Sequence, residues 1–250
     1  MRIRFFVSIA TLLLLSACAS APTLTVASTA PIAVPVTPGL DAHHFGEPLP
    51  VPPPASLFTL SAEQEADFLQ YFHDPAHAGE ARHRRLYDYL EQRLDHFRYY
   101  GATRSAAEAL VADEGNCLTL AMLTTALARL ADVEIAYLRI SDEPVFERHG
   151  NVVFAADHVR SLLFDPDFQA TPGEWVLQKP HLIIDYFPER RRRAGGRVSE
   201  QTLQSMFYTN LAGEAMAENR YREAFWLLKA ALEQDPAHVG ALNSLAVLHR

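Results

Sequence analysis

The sequence predicts an α+β fold in which helices come first, a set of strands follows, and helices return at the end. Three observations predict it. Between Cys117 and Leu130 the only formally charged residue is Arg129, and apolar residues lie on nearly every face, the pattern of a buried central helix. Val133 to Phe187 is a succession of β-branched and aromatic runs. From Ser199 onward the apolar spacing is helical again. With 49% apolar residues and about 190 residues beyond a proline-rich segment, the chain can bury one core and carry a small appendage.

The elements follow in order. Met1 to Cys18 has the anatomy of a secretory signal: Arg2 and Arg4, an apolar run from Phe5 to Leu15, then small residues. The run is too short to span a bilayer with these flanks. Residues 1–17 are therefore read as a leader. Residues 18–56 are read as an extended tether, because Ala21 to Ala55 is rich in Pro, Ala, Thr and Val without a sustained period. His43 and His44 within it are read as solvated.

Ser61-Ala62-Glu63-Gln64 is a capping-box pattern opening a helix to about Phe72, with Ala62, Phe68, Leu69 and Phe72 toward a core. His73 and His77 have the i, i+4 spacing of metal ligands, but Pro75 breaks the helical face that spacing needs. Glu80 to Tyr99 reads as an amphipathic helix, ended by Gly101, and Ser105 to Ala112 as a short one. Gly115 and Asn116 then provide turn and N-cap for the central helix.

Val133 to Ile140, Asn151 to Ala156, His158 to Phe164, Trp175 to Leu177 and His181 to Phe187 read as strands, the last closed by Pro188. Arg190 to Gly196 reads as a solvated linker. The main domain is thus placed at 57–190 and a helical piece at 199–250.

The chain is acidic, with 22 basic and 30 acidic residues. Losing Arg2 and Arg4 with the leader would leave 20 against 30, a net charge of −10. Nucleic acid is excluded as a natural partner on that balance.

The chemistry centres on Cys117. It stands at the positive end of the helix dipole, where a thiolate is favoured; a small packing residue is the other reading of the same position. A thiol nucleophile needs a base and a group to orient it. His158, opening an apolar strand, is the candidate base, with His149 beside Gly150 and Asn151 as its rival. Asp185, flanked by Ile183, Ile184, Tyr186 and Phe187, is the candidate orienter, because a carboxylate in such a strand needs a partner. Asp165 is the rival there.

Three resemblances add to this. Leu15-Ser16-Ala17-Cys18 resembles the lipobox of bacterial lipoproteins, which implies a diacylated Cys18 as the mature N-terminus. Ala19 in place of aspartate implies the periplasmic face of an outer membrane, anchored but not spanning. The mature chain would then carry Cys117 as its only thiol in an oxidising compartment, which favours chemistry over packing.

Gly115-Asn116-Cys117-Leu118, Asp157-His158-Val159 and Ile184-Asp185-Tyr186-Phe187-Pro188 together resemble the transglutaminase-like, papain-like superfamily, in its bacterial lipoprotein branch. The resemblance implies helices packed on an antiparallel sheet and acyl transfer through a thioester. Cys117 would be the nucleophile, His158 the base and then acid, and Asp185 the orienter, with no cofactor or metal. The C-terminal stretch resembles tetratricopeptide repeats. With Pro236 at the late proline, Tyr208, Leu211, Ala212, Ala224, Leu228 and Ala231 take signature positions, and Leu242, Leu245 and Ala246 begin a second unit. One and a half repeats rarely stand alone, so packing on the main domain is expected. These resemblances imply a protein or peptide substrate, and a non-catalytic scaffold binding a protein partner is the alternative.

Overall fold

Four of the described α-helices start at a side-chain cap, Ser61, Ser105, Asn116 and Ser199, and three start without one. The computed structural model describes residues 42–99, 102–149, 152–171, 173, 175–186 and 194–249; the leader and Cys18 lie outside them. Helix α1 (Ala62–Phe72) opens with a reciprocal capping box between Ser61 and Gln64, and α3 (Ala106–Ala112) with one between Ser105 and Glu108. Phe68 and Phe72 enter the core, whereas Ala62 is exposed. Beyond α1 a 3-10 turn at Pro75–His77 replaces the helix.

Helix α2 (Arg82–Arg93) is shorter than the expected Glu80–Tyr99. The chain leaves the helix because Arg98 pairs with the turn before the next helices: its N–H donates to Asp113 at 2.9 Å and its carbonyl accepts from Gly115 at 3.1 Å. Helix α4 (Cys117–Leu130) matches its expected bounds, and Cys117 to Ala128 are all buried.

Strands β1 (Ile135–His149), β2 (Val152–Phe164), β3 (His181–Ile184) and β4 (Ala194–Val198) form one antiparallel sheet in the order β3-β2-β1-β4. Three expectations are corrected here. The runs on either side of Asp157 are one strand, because a register shift between Ile140 and Val145 of β1 lets the ladder continue past it. Ala194-Gly195-Gly196 belongs to edge strand β4 rather than a linker; pairing with Tyr137 to Ile140 supplies what its residue types lack. Trp175–Leu177 forms no strand, and Trp175 and Leu177 stand fully in solvent.

Alternation along β2 sends Val159, Ser161 and Leu163 to the pleat that packs on α4 and puts His158, Arg160 and Leu162 on the other. Helices α5 (Glu200–Ala217) and α6 (Tyr221–Gln234) pack as a hairpin, with α7 (Val239–Leu248) against both. Helix α5 also packs on α4, β1 and β2, and a single core runs from Leu57 to Leu245.

Residues 42–56 correct the expected tether. Phe45 stacks on Phe225 of α6 at 4.2 Å, Tyr208 donates to the Pro52 carbonyl at 2.6 Å, and Arg222 donates to the Glu47 carbonyl at 2.7 Å. The apolar residues of that segment find a face to bury, so it lies along the C-terminal helices. His43 and His44 are exposed. Among the described residues no helix is long and apolar enough to cross a membrane.

Candidate active site

The turn into α4 is built from short-range bonds. Asn116 accepts the amides of Leu118 and Thr119 on its Oδ1 at 3.1 and 3.0 Å, so two first-turn donors are capped. Its Nδ2 donates to Thr103 Oγ1 at 2.7 Å. Gly115 must be glycine for a steric reason: a Cβ there would stand 2.4 Å from Thr119 Cγ2 and 2.7 Å from its Cβ. Thr119 Oγ1 in turn accepts the Arg104 amide at 2.8 Å. Cys117 is held at the first position of the helix and is 4% exposed.

The threonines of α4, which the sequence shows only as tolerable polar residues in an apolar helix, connect it to the sheet. Thr124 donates to the Leu120 carbonyl at 2.7 Å, and its oxygen accepts from Tyr186 at 2.9 Å. Tyr186 shares a 2.8 Å bond with Ser161, completing a path from β2 to α4. Thr125 donates to Ala121 and bonds Tyr137 of β1 at 2.8 Å. Burial pushes the Tyr137 phenol up to about 12 and holds Tyr186 well above its ordinary value, with the Cys117 thiol a smaller contributor in the same sense. Cys117 belongs to the α4 side of the sheet, whereas strand alternation puts His158 and Asp185 on the other pleat.

Asp185 follows β3 directly. Ser161 pairs with Ile184, so the next step of the ladder brings Arg160 opposite Asp185. Their side chains form an ion pair at 2.5 Å, with the arginine 15% and the aspartate 28% exposed. His158 lies two residues from Arg160 on the same pleat, diagonal to Asp185, and both its ring nitrogens are buried.

The rival residues lie elsewhere. Asp165 is seven residues from His158 along β2, about 23 Å at strand rise. Its carboxylate lies 3.6 Å from His83 Nδ1 on α2 and accepts the Asp167 amide. Burial holds the His83 imidazole below its ordinary value. His149 pairs with Val152 at the hairpin end, nine positions beyond Ile140 and up to about 30 Å away. An open depression lined by Arg82, Arg129, Asp132 and Lys179 lies at the far end of α4, about 20 Å from Cys117 at helical rise.

Sequence reasoning missed Thr103, Tyr186, Arg160 and Glu214. Arg160 meets Asp185 only through the pairing of β2 with β3. The others act over separations that no local pattern marks.

No family model, curated protein or solved structure matches this chain.

Proposed function

We propose that this chain is a thiol enzyme of transglutaminase-like type, acting by acyl transfer or amide hydrolysis, anchored through Cys18 at the periplasmic face of an outer membrane. The observation that carries the reading is Cys117 at the capped first position of a buried helix, and the chemistry requires His158 to reach that helix end from the other pleat. The thiolate would attack an amide carbonyl, forming the S–C bond of a thioester. The C–N bond would break as His158 returns its proton to the departing amine. Water or a second amine, deprotonated by His158, would then attack the thioester carbon and release the thiolate. Asp185 would keep the imidazole oriented through both halves. The substrate is a protein or peptide, and the helices from Ser199 onward are read as tetratricopeptide-like.

A second reading has its own observation. The Arg160–Asp185 ion pair gives Asp185 a structural role of its own in the sheet, which suits a non-catalytic scaffold of the same type that binds a periplasmic protein.

The deciding experiment is the pH dependence of iodoacetamide labelling at Cys117, read on its own peptide by mass spectrometry, in wild type and His158→Ala. Fast labelling well below the pH of an ordinary thiol, lost without the histidine, supports the enzyme. Slow labelling that is identical in both proteins rejects it and supports the scaffold.

A further inference from the structure

The start of α4 is tied to a helix nearly a hundred residues further along the chain. Glu214 of α5 accepts the Thr103 amide at 2.8 Å. The Thr103 residue placed by that bond turns its Oγ1 to Asn116 Nδ2, which donates to it at 2.7 Å. With its amino group so committed, the Asn116 carboxamide has one orientation left, with Oδ1 toward the Leu118 and Thr119 amides. Each bond places the group that makes the next, and the last one seats Cys117.

From this geometry we infer that Glu214 is a positioning residue for Cys117, acting through Thr103 and Asn116, so that α5 is part of the site. The inference rests on the thiol-enzyme reading and deepens it. The charged groups that act on Glu214 are Glu218 on its own helix and Arg104 beside Thr103. Burial holds the Glu214 carboxyl above the usual range, while the Thr103 bonds oppose that rise. The segment 103–104 is gripped from both sides, since the Arg104 amide also donates to Thr119 Oγ1.

The test uses the full-length chain with Thr103→Val, Thr103→Ser, Glu214→Ala and the Thr103→Val/Glu214→Ala double variant. Valine keeps the shape of threonine but removes the hydroxyl that accepts from Asn116. Alanine removes the carboxylate that holds the Thr103 amide. Labelling of Cys117 at neutral pH is expected to slow about fivefold in each single variant, the scale of one lost N-cap, with no further loss in the double. Thr103→Ser should restore the rate to within about twofold of wild type. Wild-type rates in folded Thr103→Val and Glu214→Ala, or single effects that multiply in the double, overturn the inference. Should Thr103→Val not fold, Glu214→Ala and Thr103→Ser decide it alone. Amide exchange at Leu118 and Thr119 separates this failure from failure of the enzyme reading. If wild-type Cys117 behaves as an ordinary thiol, faster exchange in the variants still upholds the positioning chain, and unchanged exchange refutes it.

Discussion

The cysteine side of the site and the histidine–aspartate side are built by different means. Cys117 is seated by the Asn116 cap on Leu118 and Thr119 and by the room Gly115 leaves for Thr119, all within one turn, and by longer reaches to Arg98, Thr103 and Arg104. His158 and Asp185 owe their relation to the register of two strands, and Asp185 is held by Arg160. The first arrangement survives as long as the turn exists. The second depends on pairing between segments joined by a long connection, where a one-residue slip would send each side chain to the other face. The Tyr186 hydroxyl, bonded to Ser161 and Thr124, is where the two meet.

Gly115→Ala should break the cysteine side most severely. Its Cβ meets the Thr119 side chain at 2.4 Å, an overlap expected to cost about 2–3 kcal/mol. Thermal unfolding should fall by roughly 5–10 °C, and an unchanged melting temperature would show that Thr119 can step aside. Tyr186→Phe strikes the junction. It leaves the Ser161 hydroxyl without its buried partner oxygen and should cost about 1–2 kcal/mol by denaturant titration. If the junction couples the two sides, the variant also lowers Cys117 labelling; normal labelling with reduced stability would confine Tyr186 to the fold.

Arg160→Gln sharpens the other side. Loss of the ion pair at a site this covered should cost about 1 kcal/mol. Under the enzyme reading Arg160 takes no part in activating the thiol, and labelling of Cys117 holds or rises. A labelling rate that falls to that of His158→Ala would instead make Arg160 the group that supports the imidazole.

The smallest effect is a pH limb. Tyr137 is held up to about 12 by burial, above the ordinary phenol value near 10. Its contribution to stability is therefore complete below pH 10 and is lost as pH rises from 10 to 12, because the unfolded chain ionises first. Circular dichroism should record a falling melting temperature across that window, and Tyr137→Phe should flatten the fall.

Much of the fold was legible because helix capping is local. The N-caps Ser61, Ser105 and Asn116 act on amides two or three residues away, and each helix begins where its cap predicts. The all-apolar face pattern of α4 marked its burial for the same reason, since periodicity is a property of the segment itself. The candidate site was legible as residue types but not as relations. Arg160 opposite Asp185, and Asp165 beside His83, follow from register and packing, which no window of sequence contains.

What the sequence by itself determined is the order of elements and the construction of the turn that seats Cys117, because those depend on neighbours a few residues apart. Only the tertiary structure decided that Ala194–Val198 is a strand, that residues 42–56 lie along the last helices, and that Glu214 reaches Thr103. Edge backbone, an apolar face and a buried carboxylate each need a partner. Which partner they find is settled by packing across the whole chain.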